Sequence, residues 1–323
     1  MAQAGLLNTS GYASVNFGED PTKVDYERIF HARRPILEIA VKNFLTKDTF
    51  RSDFQNFEKN NRTWLDDYAE FMAFKEHFGN KALQKWEDKQ LIARQPKALE
   101  KYRAMLKEKI QYFKVTQYFF FQQWKALKAY ANRKGIQIIG DMPIYVAADS
   151  VEVWTKPELF QLDAERNPRF VAGVPADQFS ATGQLWGNPL YDWEAHKKQH
   201  YAWWIHRIEE SFKIYDVLRI DHFKGFSDYW QVDGKADIAK YGCWQPGPGY
   251  DLFKAIKAQL GDLPIIAEDL GNIDDKARKL LTDCNYPGMK ILQFGFEDVS
   301  GESLDSPHYC IPHSIVYTGT HDN

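Results

Sequence analysis

The sequence predicts an α/β fold of the (β/α)8 TIM-barrel type, incomplete in this chain, with a mainly helical segment on its N-terminal side. Three observations lead there. Past residue 123, helical stretches alternate with short apolar runs, the pattern of a parallel sheet with right-handed crossovers. Several of those runs give out directly into an acid, at Gly140-Asp141, Ile220-Asp221 and Ala267-Glu268, and a further acid follows the last run at His321-Asp322. No G-x-G-x-x-G turn or P-loop follows the first run, which counts against the competing doubly wound open sheet.

Taken in order, residues 22–106 read as helices. Segments 24–44 and 64–78 carry apolar residues at spacings of three and four with charges between them. Residues 1–110 are therefore assigned to a helical subdomain and 111–323 to the partial barrel. A helix over 123–133 leads into a β-branched run at 135–139. A helix over 203–212 leads into a strand at 215–220, and one over 251–260 into a strand at 263–267. The helix at 274–281 precedes a strand at 289–296, and a last run covers 314–317. These five strands fall short of the eight that close a barrel. Residues 149–195 form a long connection rich in Pro, Gly, Asp and Trp. Its aromatic content argues against disorder, so it reads as a functional insertion.

Composition narrows the function. Hydrophobic residues make up 44% and charged residues 26%, the profile of a soluble globular chain. A net charge of −3 leaves no basic footprint for nucleic acid. No apolar run is long enough to span a bilayer, and the first residues lack the features of a secretory signal. Three scattered cysteines, without metal-ligand spacing, read as free thiols of a cytoplasmic protein. Aromatic content is 15%, with ten Trp. Flat rings beside polar groups suit the apolar C–H faces of sugars, although an aromatic-rich core accounts for the same figure.

Acids at successive strand ends suggest carboxylate chemistry around a common axis, because the C-terminal ends of barrel strands form its open face. Retaining glycosidic chemistry needs a carboxylate nucleophile and a second carboxyl as acid and then base, about 5–5.5 Å apart. Asp221 and Glu268 suit these roles. Arg219, two residues before Asp221, points to the same strand face and would hold that acid ionised. Glu268 follows Ile265-Ile266-Ala267, and partial desolvation would keep it protonated. Asp322 would supply a third carboxylate. The structural alternatives are an ordinary Arg219–Asp221 ion pair, Asp269 as a helix N-cap, and His321 as an ordinary histidine.

Six blocks resemble the signature of the 4-α-glucanotransferases, or amylomaltases, of the α-amylase superfamily. They are 140–147 (GDMPIYVA), 183–191 (GQLWGNPLY), 219–223 (RIDHF), 266–271 (IAEDLG), 287–290 (PGMK) and 317–323 (YTGTHDN). Trp64-Leu65-Asp66-Asp67-Tyr68-Ala69 and Gln123-Trp124 of the helical front join them, so the resemblance runs from about residue 24 to the end. It implies Asp221 as nucleophile, Glu268 as acid/base and Asp322 as transition-state stabiliser. It places Arg219 and His321 at the donor sugar, Asp141 and Tyr145 in the first superfamily block, and Asp177 with Trp186 at the acceptor-side platform. His222 and Phe294 are candidates beside the cleavage point. Maltooligosaccharides and α-1,4-glucans would be donor and acceptor, and no metal or organic cofactor is called for.

The chain departs from that pattern in Val174-Pro175-Ala176-Asp177, where the family commonly shows two prolines, and in Lys224, where it commonly has Arg. By the resemblance, the family's opening strand blocks and its last strand and helix are expected to have no counterpart here, and the five strands would correspond to the third to seventh. The expectation is a chain that holds all three acids without positioning them fully. The alternatives in function are an α-glucan hydrolase on the same barrel and a non-catalytic glucan-binding protein.

Overall fold

The computed structural model describes residues 1–176, 180–271, 273–296 and 301–320. The chain divides into two compact units, Met1–Lys125 and Ala126–Asn323.

The first unit is helical, as the spacing of its apolar residues predicts. Its helices are α1 (Tyr26–Leu45), α2 (Arg51–Asn60), α3 (Arg62–His77), α4 (Lys89–Ile92), α5 (Pro96–Met105) and the start of α6 (Lys107–Arg133). The Asp25 carboxylate opens α1 by accepting from the Arg28 amide, which satisfies one of the donors a helix start leaves free. Leu65, Ala69 and Ala73 line the buried face of α3 at four-residue spacing. Glu70 is buried in the same helix, and both of its oxygens accept from Arg103, at 2.6 and 3.0 Å. That bidentate pairing offsets the desolvation of the carboxylate. Phe44 meets Phe54 and Phe119 edge to face, at 5.4 and 5.2 Å.

In the second unit the elements run β1 (Ile139–Met142), α7 (Val151–Thr155), β2 (Phe170–Val174), β3 (Gln184–Pro189), α8 (Trp193–Lys198) and α9 (Ala202–Ile214). They continue with β4 (Val217–Ile220), β5 (Asp228–Asp233), β6 (Gly242–Pro246), α10 (Tyr250–Leu260) and β7 (Ile265–Ala267). Last come α11 (Asp275–Cys284), β8 (Gly288–Ile291), α12 (Leu292–Gly295) and β9 (Ser314–Tyr317). Strands β1, β4 and β7 form a parallel sheet in that order, and β8 pairs in parallel with β9. The Ala267 amide donates to the Pro287 carbonyl at 3.0 Å and carries the ladder from β7 toward β8. Spatial order thus follows chain order without reversal. A Cβ on Gly140 would stand 2.0 Å from the Tyr215 ring, so only glycine fits this point of β1.

Three expectations change. The first parallel strand begins at Ile139, the last residue of the run assigned to it, and continues to Met142. The expected strand over 289–296 ends at Ile291, where the chain turns into α12. The connection over 149–195 holds β2 and β3, which join β5 and β6 in an antiparallel sheet of order β3-β2-β5-β6. Part of the aromatic excess is core packing, since Trp86, Trp154 and Trp204 are fully buried. Among the described residues no helix is long and apolar enough to cross a membrane.

Candidate active site

The parallel register sets the site. Met142, Ile220 and Ala267 lie level across β1, β4 and β7. The next residues of β4 and β7 are Asp221 and Glu268. Their amides extend the ladder by one step, Asp221 N to the Met142 carbonyl and Glu268 N to the Ile220 carbonyl, both at 3.0 Å. Short apolar runs fix this arrangement, because β7 is buried along its whole length and β4 over its last three residues.

Arg219 is buried and sits opposite Asp141 in the β1–β4 register. Its Nη1 donates to Asp141 Oδ1 at 2.6 Å and to Asp221 Oδ1 at 2.9 Å, so one nitrogen serves two carboxylates. Its Nε approaches the Met289 sulfur at 3.4 Å. Asp141 is thus a residue within β1 and not one beyond it.

Glu268 stands in a different setting. Its Oε2 accepts from the His222 amide at 2.7 Å and its Oε1 from the Leu270 amide at 2.8 Å. Burial pushes its carboxyl up to about 7. The Asp221 charge adds to that rise, while the two amides and Arg219 oppose it. Asp269, weighed from sequence as an N-cap, does not cap α11. Asp274 does so, by accepting from the Ala277 amide, while Asp269 accepts from the Met289 amide at 2.7 Å. A Cβ on Gly288 would lie 2.5 Å from Asp269 Oδ2, which explains the glycine of the Pro287-Gly288-Met289-Lys290 block.

Trp186, on β3, is 36% exposed and meets the His222 ring edge to face at 4.9 Å. Tyr145 lies 6.2 Å from Trp186 and stacks at 5.9 Å on Tyr191. Burial holds the Tyr145 hydroxyl well above the ordinary tyrosine range. The strand-loop block is tied to the exit of β1 by Asn188 Nδ2 on the Val146 carbonyl and by the Tyr191 hydroxyl on the Ile144 carbonyl, at 2.9 and 2.7 Å. Arg219 thus joins Asp141 and Asp221, while Glu268, His222, Trp186 and Tyr145 are linked by amide and ring contacts, and the two groups meet where His222 follows Asp221 in the chain. Phe294, on α12, packs on the cluster of Ile266, Met289 and Ile291. Asp177, His321 and Asp322 lie outside the described residues.

Sequence reasoning missed Met289 as a partner of Arg219, and it treated Lys224 only as a departure from a family pattern. Lys224 is buried, ion-paired with Asp228 and with Asp274 (2.9 Å), and lies 4.5 Å over the Trp244 ring. A charged residue between Phe223 and Gly225-Phe226 was the available signal. Among the described residues, His206, Glu209 and Glu210 of α9 bring potential metal ligands within 4.8 Å of one another. Lys213 already pairs with Glu210 there, and the group stands on one helix face and not at the strand ends.

Comparison with known proteins matches residues 2–323 to the 4-alpha-glucanotransferase family. The chain is 53% identical over 323 residues to the 4-alpha-glucanotransferase of Streptococcus pneumoniae serotype 4, covering all of this chain and 64% of that protein. It is 44% identical over 324 residues to that of Clostridium butyricum, covering 99% of this chain and 65% of the relative. Its structure is similar to that of amylomaltase from Streptococcus agalactiae in complex with acarbose, with a TM-score of 0.97 and 56% identity. That match covers 100% of this chain and 65% of the other. The chain thus spans a little under two thirds of the length of these relatives.

Proposed function

The chain belongs to the 4-alpha-glucanotransferase family, and on that premise we propose that it acts in the transfer of α-1,4-glucan segments between maltooligosaccharides by a retaining double displacement. In this reading Asp221 attacks the anomeric carbon of the donor while Glu268 gives its proton to the departing glycosidic oxygen. The bond from that carbon to the leaving oxygen breaks, and a covalent glycosyl-enzyme remains on Asp221. The 4-hydroxyl of a second glucan then attacks the same carbon, Glu268 takes up its proton, and Asp221 leaves as the carboxylate. Asp322 is assigned to steadying the positive charge that develops on the sugar. Arg219, His321, Asp141, Tyr145, Asp177, Trp186, His222 and Phe294 are assigned to the substrate. Trp186 would help exclude water and position the acceptor hydroxyl, which favours transfer over hydrolysis.

The observation that carries this reading is the contrast between two neighbouring acids. Asp221 is ion-paired to Arg219, whereas Glu268 is held by amides and pushed up to about 7. A carboxylate beside a fixed cation and a carboxyl kept protonated by burial are what a nucleophile and a general acid require. The unreversed order of the parallel strands supports the further proposal that they form an arc of a (β/α)8 barrel. A cytoplasmic setting is part of the same proposal and rests on the scattered spacing of Cys243, Cys284 and Cys310 in the sequence.

The test is incubation of the full chain with maltotriose, with products resolved by chain length. Longer maltooligosaccharides together with glucose are expected. Glucose and maltose alone would replace transfer by hydrolysis. An unchanged substrate would overturn activity for this chain.

A further inference from the structure

His222 bears on the site through its backbone. It adopts φ 48° and ψ 51°, the left-handed region, which costs a non-glycine residue on the order of 1 kcal/mol. Three contacts hold it there. The Gly225 amide donates to the His222 carbonyl at 2.9 Å, the Phe223 amide donates to the Glu268 carbonyl at 3.0 Å, and the imidazole packs edge to face on Trp186 at 4.9 Å. The consequence of the turn is that the His222 amide points at Glu268 Oε2, 2.7 Å away. An extended or right-handed residue at this point would send that amide elsewhere.

Resting on the reading of Glu268 as the acid/base, we propose that His222 is a positioning residue whose left-handed backbone, clasped by the Trp186 ring, aims the amide that orients Glu268. The ring proposed to receive the acceptor sugar and the acid that protonates the leaving oxygen are then parts of one mechanical unit. An amide donated to a carboxylate favours its ionised form, so loss of this contact makes Glu268 hold its proton to higher pH. Among the described residues, the groups facing Glu268 are the Arg219 guanidinium from β4, the Asp221 carboxylate and the His222 amide from its exit, and the Leu270 amide of its own loop. The imidazole of His222 does not confuse the reading. Burial pushes it down to about 4, with Lys224 acting in the same direction, so it stays neutral where Glu268 titrates.

The experiment is a titration of Glu268 in the full chain without substrate. It follows the infrared carbonyl band of the protonated acid, assigned by its disappearance in Glu268→Gln. Half-protonation near pH 7 is expected for the unaltered chain. Trp186→Leu should move it upward by about one pH unit, and His222→Val, which strains the left-handed region, by at least as much. His222→Asn and His222→Gly tolerate that region and should stay within about 0.3 of the unaltered chain. The proposal is overturned if Trp186→Leu titrates like the unaltered chain, or if His222→Asn shifts as far as His222→Val. Should His222→Val fail to fold, Trp186→Leu decides the matter, because the Trp186 ring is partly exposed. Failure of the acid/base reading is seen separately. A chain with this titration pattern but no transfer of maltotriose keeps the positioning role and loses the catalytic one.

Discussion

The exits of β4 and β7 present the same backbone geometry with opposite surroundings. Asp221 and Glu268 each stand one residue beyond adjacent parallel strands, and each donates its amide to the neighbouring strand at 3.0 Å. Asp221 then faces a guanidinium and leaves 41% of its side chain exposed. Glu268 faces two amides in a desolvated setting and is pushed up to about 7. The strand end supplies the position, and the residue types around it supply the surroundings, a cation for Asp221 and a desolvated pair of amides for Glu268. Two carboxyls at neighbouring exits of one sheet thus stand in different settings, which is the basis for proposing different roles for them.

The largest effect comes from removing each acid in turn. Glu268→Gln should lower maltotriose turnover by about 10²–10⁴-fold, the range for a lost general acid. A maltosyl fluoride donor, whose leaving group needs no proton, separates the two sites. Glu268→Gln should regain much of the first step with it, whereas Asp221→Asn should not. Equal losses with both donors, read as fluoride release, would erase the distinction between the exits.

Stability against pH sharpens it next. The Glu268 carboxyl rises from an ordinary 4.5 to about 7 on folding. The folded chain therefore binds this proton more tightly than the unfolded chain. Between about pH 4.5 and 7 the unfolded state loses the proton while the folded state keeps it, so stability falls as pH rises through that window. At 1.36 kcal/mol per unit, discounted for partial exposure, the loss is about 2 kcal/mol. Urea unfolding of the unaltered chain and of Glu268→Gln should diverge by that amount between the two ends of the window. Parallel curves would mean that Glu268 is not desolvated.

Much of this was legible in the sequence, for a physical reason. A buried parallel strand is a short, mainly apolar run, and β4 and β7 each give out into an acid, so these strands and the acids beyond them could be read directly. The two-residue period of a strand placed Arg219 on the face of Asp221, and the two are indeed in contact at 2.9 Å. The antiparallel sheet was not legible. β2 holds Gly173 and β3 holds Trp186-Gly187-Asn188-Pro189, residues that read as loop, and β2 pairs with β5 from Asp228–Asp233 far along the chain. Strand propensity of that kind depends on the partner. The alternative of Asp269 as an N-cap fails because the residue capping α11 is Asp274, while the Asp269 carboxylate reaches the Met289 amide.

That reach gives a third way to test the contrast. The β7 exit is anchored by backbone amides that donate to the carboxyls of Glu268 and Asp269, and Gly288→Ala would break one of these bonds. Its Cβ would fall 2.5 Å from Asp269 Oδ2 and force the carboxylate off the Met289 amide. Leaving that amide without its partner should cost about 1–2 kcal/mol in urea unfolding. An unchanged midpoint would show that the loop relaxes without loss, and that the exit is held by the Glu268 contacts alone.

The smallest effect concerns the β4 exit and whether its cation is held by charge alone. Arg219 has Asp141 and Asp221 on Nη1 and the Met289 sulfur against Nε. Met289→Leu nearly conserves volume but removes the only acceptor that this contact offers. A swap of that kind in a core ordinarily costs under about 1.5 kcal/mol, and the expected loss is about 1 kcal/mol. If the sulfur also aims the guanidinium, the same variant should lower kcat with maltotriose by about threefold while leaving KM in place, since a small misplacement of the charge at Asp221 acts on the chemical step. A stability loss without a change in kcat would assign Met289 to packing, and the orientation of Arg219 to its two carboxylates.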